Sequence, residues 1–88
     1  MISKEQLAIK VNTLPHNPGV YQFLDEKGTI IYVGKAIDLN KRVSSYFQKD
    51  HLDGKTRTLV KLIRDLRFTV VQNELDALLL ENNLIKTL

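Results

Sequence analysis

Tyr21 and Tyr32 have ten residues between them, and each has a glycine two positions away, Gly19 before the first and Gly34 after the second. Glycines there remove side chains beside both rings, which suits a shallow concave site. A phenol with an ordinary pKa of ~10 deprotonates water only with help from nearby cations or a metal ion. Lys35, directly after Gly34, and Arg42, early in the next helical pattern, are candidates for those cations. Each of these residues also has a plain structural reading. Aromatic cross-strand pairs stabilise sheets, a surface strand can end in lysine, and Arg42 can be a solvated helix charge paired with Asp38 at i−4. From the residues alone, the tyrosine pair reads first as structural.

Glu81 is the other unusual residue. In the leucine-rich stretch from Glu74 to Ile85, helical geometry places it beside Ala77, Leu84, Ile85 and Leu88. An ionised carboxylate among apolar groups costs on the order of several kcal/mol if left unpaired. Lys, Arg or a divalent cation would compensate it; a rim glutamate with its head in solvent would need no compensation. A single carboxylate suits Mg2+, which keeps most of its waters and takes one or two protein ligands plus phosphate oxygens. Other chemistries are poorly served. His16 and His51 are 35 positions apart with no metal-binding spacing. Ser44 and Ser45 have no evident base, and Gly34-Lys35 lacks the preceding glycine loop of a nucleotide-binding site, so no nucleotide cofactor is expected. The absence of cysteine removes disulfides, thiolate zinc sites and thiol nucleophiles.

The elements that must position these residues follow from periodicity and capping. Ser3 and Gln6 have capping-box spacing, and Leu7, Val11 and Leu14 recur helically until Pro15, which predicts a helix over 3–13. Val20 to Leu24 and Thr29 to Val33 read as strands joined by Asp25-Glu26-Lys27-Gly28. With those four residues as the loop, Leu24 pairs with Thr29 and Tyr21 falls directly opposite Tyr32 on one sheet face. Gly34 ends the second strand. Asp38 can cap a helix running to about residue 48, on which Arg42 and Tyr46 share one side at i and i+4. Gln48 to Gly54 reads as a loop. Thr58 to Leu66 predicts a helix with Leu59, Leu62, Ile63 and Leu66 on one face, Phe68 to Val71 a third strand, and Asn73 the cap of a final helix that still runs at Leu88.

With 88 residues, 43% hydrophobic and 26% charged, the chain is expected to be one small globular domain, with no stretch long and apolar enough for a membrane span, hence cytoplasmic. The formal net charge of +3 is mild, but its distribution is not. Residues 35–67 hold nine basic and four acidic side chains, a local excess of +5, against −2 for the rest. That placement favours an anionic partner.

Gly19-Val20-Tyr21, Tyr32-Val33-Gly34, a helix bearing Arg42 and then Glu81 in a leucine-rich helix together resemble the GIY-YIG nuclease family. The flanking segments Leu14-Pro15 to Tyr21, Tyr32 to Ala36, Arg42 to Phe47 and Ala77 to Lys86 are similar to the N-terminal domain of the UvrC-type excision-repair nucleases. This resemblance covers essentially the whole chain. It implies an α/β (α+β) fold with a small three-stranded, largely antiparallel sheet flanked by helices. It also implies Mg2+- or Mn2+-dependent DNA cleavage on the 3′ side of a lesion. By the same resemblance Glu81 is the metal ligand, Tyr32 the general base or its relay with Tyr21 beside it, and Lys35, Arg42 and Tyr46 contact the water network or the phosphate. Val20 and Val33 replace the isoleucines of the family name without chemical consequence. Family domains continue past the last helix to a site asparagine, which Asn82 and Asn83 do not replace. Full-length members add regions that bind a UvrB-type partner, so residues 1–88 are expected to be a nuclease domain from a longer chain, with damaged DNA as substrate. A non-catalytic DNA-docking module and a stand-alone GIY-YIG endonuclease are the other readings.

Overall fold

The computed structural model describes residues 3–48, 54–72 and 74–86, the side chains of 74–78 excepted. The chain opens with α1 (Lys4–Asn12), which starts as its first residues dictate. The Ser3 hydroxyl accepts from the Gln6 amide at 3.1 Å, and the Gln6 side chain accepts from the Ser3 amide at 2.9 Å. Two otherwise orphaned amides are thus satisfied reciprocally. Leu7 and Val11, one turn apart, are its buried residues.

β1 (Gly19–Leu24) and β2 (Ile30–Ala36) form the expected hairpin, but in a different register. The Asp25 carboxylate accepts from the amides of Lys27 and Thr29, both at 2.9 Å, and Gly28 takes φ 80, a left-handed conformation that glycine adopts without strain. Asp25 N also donates to the Thr29 carbonyl, so the loop includes Thr29, and Leu24 pairs with Ile30. An irregularity between Phe23 and Leu24 then shifts the ladder again, so Tyr32 faces Phe23, and Tyr21 faces Gly34. The expected Tyr21–Tyr32 pairing is therefore incorrect by two residues. Because side chains alternate with period two, a two-residue slip keeps both tyrosines on the same face. Gly34 does not end β2; the strand continues through Lys35 and Ala36.

α2 (Leu39–Phe47) is capped by Asp38, whose carboxylate accepts from the Lys41 amide at 3.0 Å. α3 (Gly54–Leu62) and β3 (Asp65–Val70) divide the next segment earlier than its leucine pattern predicts. Leu66, expected on the helix, is a fully buried strand residue opposite Phe23, while Leu62 is half exposed. The chain is captured at this point by the Arg64 amide donating to the Leu24 carbonyl at 2.8 Å and by a Lys10–Asp65 ion pair at 3.0 Å. Val71, the expected strand end, lies just past β3, where its amide donates to the Pro18 carbonyl. The strand order is β2-β1-β3, antiparallel throughout.

α4 (Glu74–Lys86) completes the chain, while the proposed cap Asn73, the helix end at Leu88 and His51 lie outside the described residues. Tyr21, Phe23 and Leu66 pack with Leu7, Val11, Leu39, Val43 and Ile63 from the α1–α2–α3 side. Val20 and Val33 on the opposite face pack against Leu80 and Leu84 of α4. Central strand β1 is consequently buried on both faces, whereas β2 is a sheet edge that both α2 and α4 approach. Among the described residues, no helix is long and apolar enough to cross a membrane.

Candidate active site

The site grows from the aromatic face of the hairpin. Tyr21 is completely buried, and its ring lies directly over Gly34: a Cβ there would overlap the ring carbons and hydroxyl. At Gly19 a Cβ would meet the Thr69 carbonyl and the Leu39 side chain. The glycines therefore do not leave the hollow expected of them; their missing side chains are replaced by close packing. Phe23, which the motif spacing does not single out, lies at the centre of the cluster. Its ring centroid is 5.3 Å from Tyr21, 6.0 Å from Tyr32, 5.0 Å from Tyr46 and 6.2 Å from Phe47. The alternation Tyr21-Gln22-Phe23, which puts Phe23 on the tyrosine face, is the sequence signal that could have found it.

Tyr46 reaches the same face from α2, and its hydroxyl lies 3.0 Å from that of Tyr21. The rings of Tyr21 and Tyr32 are stacked at 6.1 Å, and Tyr32 stands the same distance from Tyr46. Of the three phenols Tyr32 is the most exposed, at 37%. Burial pushes the Tyr21 phenol above its ordinary value, against the lowering influence of Tyr46 and Arg42. Tyr32 is raised mainly by its hydrogen bond to Tyr46 and then by burial, with the Glu81 charge adding to the effect. Tyr46 is raised by burial and by Tyr21. All three hydroxyls are thus held protonated at neutral pH, in a chain running from Tyr32 through Tyr46 to Tyr21.

Arg42, one turn into α2, stands beside the Tyr21 hydroxyl, whose influence raises the guanidinium above its already high value. It does not pair with Asp38. That carboxylate caps α2 and accepts from His16 Nδ1 at 2.9 Å, and these bonds hold it below the usual range. Arg42 keeps an exposed side chain and lines a groove of about 510 Å³ with Lys35, Ile37, Lys41 and Ser45. Lys35 pairs with Val20 and so belongs to the α4 face of β2, opposite Tyr32. The groove thus wraps the sheet edge.

Glu81 approaches this edge from α4. It is half-buried, one position round the helix from the Leu80–Leu84 stripe, and close enough for its charge to act on Tyr32. The apolar ring expected around it is incomplete, because Ile85 is half exposed; the side chain of Ala77 and all of Leu88 lie outside the described residues. Among the described residues, the Glu81 carboxylate makes no hydrogen bond or ion pair. The structure therefore brings Tyr21, Tyr32, Tyr46 and Arg42 together on one face, with Lys35 and Glu81 coming around the edge of β2 from the other.

This arrangement has close counterparts. The crystal structure of the GIY-YIG N-terminal endonuclease domain of UvrC from Thermotoga maritima, bound to magnesium as its catalytic divalent cation, superposes with TM-score 0.84. It is 38% identical and matches 97% of this chain and 92% of that one. Variants of that domain with a tyrosine replaced by phenylalanine, or an asparagine by alanine, superpose equally well and are also bound to the cation. UvrABC system protein C from Bacteroides thetaiotaomicron is 62% identical over 84 residues, and that from Flavobacterium johnsoniae 60% over 87. These alignments cover 96% and 99% of this chain but only 14% and 15% of those proteins. The expected three-stranded sheet flanked by helices is the fold that this chain shares with the Thermotoga domain. Residues 17–88 match the UvrC-like GIY-YIG domain, and the chain belongs to that family.

Proposed function

We propose that this domain hydrolyses a phosphodiester bond of damaged DNA on the 3′ side of the lesion, using one Mg2+ or Mn2+ ion held at Glu81. The observation that carries this reading is the convergence at the β2 edge of a reachable phenol, Tyr32, an exposed guanidinium, Arg42, and a half-buried carboxylate, Glu81, without a described partner. The donor set fits such an ion. No group of three His, Asp or Glu side chains converges among the described residues. A single carboxylate leaves the remaining ligand positions to water and phosphate oxygens, the habit of Mg2+. Retention of the cation by the tyrosine-to-phenylalanine variants of the Thermotoga domain supports a carboxylate, not a phenol, as its anchor.

When bound, the cation supplies Lewis-acid polarisation of the phosphate and offsets charge on the leaving oxygen. The side chains of this domain do the rest. Arg42 forks onto phosphate oxygens and stabilises the charge that develops there. Lys35 adds a second positive charge at the groove. Tyr32, held protonated, donates its own proton to Tyr46, and its Oη accepts from and orients the attacking water, whose proton leaves to solvent in the open groove. Buried Tyr21 fixes Tyr46 and Arg42 through its hydroxyl. The chain spans 14% of the length of UvrABC system protein C from Porphyromonas gingivalis. Within such a protein, a UvrB-type partner engaged through other regions would deliver the lesion.

Glu81→Gln in the full-length protein, assayed with its partner proteins, Mg2+ and a lesion-bearing duplex, should lower 3′ incision by roughly 100-fold or more, comparable to losing one strong transition-state contact. Unchanged incision would overturn the metal assignment.

A further inference from the structure

The groove contains more than the proposed reaction uses. Lys41 and Ser45, one helical turn apart and exposed on α2, line it together with Ile37 of the β2–α2 connection. Ile37 is 68% exposed, the largest exposure among the exposed large hydrophobic residues described, yet cationic Lys35, Lys41 and Arg42 line the same groove. The fold does not need it, because it takes no part in either hydrophobic cluster. The groove's one carboxylate, Asp38, is engaged on both oxygens, one with His16 and the Lys41 amide and the other with His16. Its charge is therefore directed into capping and pairing. What remains is a cation beside an apolar side chain.

We propose that Lys41 and Ile37 form a second nucleotide subsite beside the scissile position. Lys41 takes the neighbouring backbone phosphate, and Ile37 packs on the deoxyribose attached to it. Phosphate contacts fix the register of a nucleic acid without reading its sequence, and an apolar contact to the sugar does the same without charge. These two residues are positioning residues that set which phosphate meets Arg42. The inference rests on the DNA-cleaving reading above and adds the contact that holds the flanking nucleotide.

The two contacts leave different thermodynamic signatures, so binding of the chain to an undamaged B-form duplex, in EDTA to prevent turnover, tests them separately. Each phosphate contact contributes about −0.9 to the slope of log K against log salt. Raising salt from about 50 to 200 mM should therefore weaken Lys41→Ala about 3.5-fold less than the unsubstituted chain. Lys41→Arg should restore the slope, and Lys4→Ala, on the separate groove between α1 and α3, should leave it unchanged. Ile37→Ala should weaken binding about three- to tenfold at every salt concentration with no change in slope. A Lys41→Ala slope equal to that of the unsubstituted chain overturns the inference and leaves the cleavage reading standing, as does an Ile37→Ala affinity within experimental error. No duplex binding by the unsubstituted chain would overturn the subsite and leave the cleavage reading to the incision assay on the full-length protein. Unchanged incision by Glu81→Gln together with the expected slopes would overturn the metal assignment alone.

Discussion

Gly34→Ala is the sharpest test of how the aromatic site is built. A methyl at this position would overlap the Tyr21 ring and lie 2.9 Å from its Cε1, where carbon atoms ordinarily keep about 3.5–4.0 Å. Tyr21 has nowhere to go. It is completely buried, tilted against Phe23 and edge-on to Tyr46, with its hydroxyl engaged by Tyr46 and Arg42. Overpacking of this kind costs about 1–3 kcal/mol, and for a domain of this size each kcal/mol lowers the melting temperature by about 4–8 °C. Gly34→Ala should therefore melt roughly 4–24 °C lower, as measured by circular dichroism, with loss of near-ultraviolet tyrosine signal. Gly54→Ala is the matched control, because a Cβ there meets nothing within 4 Å at the start of α3. In a Tyr21→Ala background the obstruction is gone, and adding Gly34→Ala should cost at least 1 kcal/mol less, on the order of the overpacking released. A melting temperature for Gly34→Ala equal to that of Gly54→Ala would refute the packing argument.

The hydroxyl network makes its own predictions. Tyr21→Phe should cost about 0.5–1.5 kcal/mol in urea unfolding, the net worth of a hydrogen bond, and should lower the affinity for DNA phosphate by releasing Arg42. The chain has three tyrosines, and all are raised in the folded state. Their phenolate absorbance should appear above the ordinary value of ~10. Since folded pKa values above the unfolded ones favour the folded state while the groups stay protonated, this stability should be full below pH ~10 and lost as pH rises through the folded values. Asp65 behaves oppositely: burial raises it, but Lys10 and the Leu66 amide outweigh this and leave it below the ordinary value. Its contribution should be present above pH ~4 and lost as pH falls through the folded value. Lys10→Met should remove about 0.5–1 kcal/mol at neutral pH, as expected for a partly exposed pair, and flatten that acid limb.

Much of this protein is legible in its sequence because local chemistry decides it. The capping box at Ser3 and Gln6, the Asp38 cap, the strand character of residues 20–24 and 30–33, and the order of the motif residues all depend on interactions within a few positions. Even the shared face of Tyr21 and Tyr32 survives a wrong register, since slipping by two residues preserves side-chain parity. The register was missed for two reasons: the Asp25 carboxylate draws Thr29 into the turn, a local contact that counting a four-residue loop overlooks, and strand pairing adds the irregularity after Phe23. Leu66 shows the same limit. Its spacing from Leu59, Leu62 and Ile63 suits a helix, but pairing with Phe23 makes it a strand residue, because a buried sheet contact outweighs a weak local preference. Tertiary structure alone placed Phe23 at the centre of the aromatic cluster and filled the space beside Gly19 and Gly34. It also brought Glu81 from one face and Arg42 from the other to the same edge of β2. The sequence by itself determined which chemical groups are present and on which elements they ride; only packing around a three-stranded sheet could determine that they meet, because the contacts that bring them together join residues dozens of positions apart.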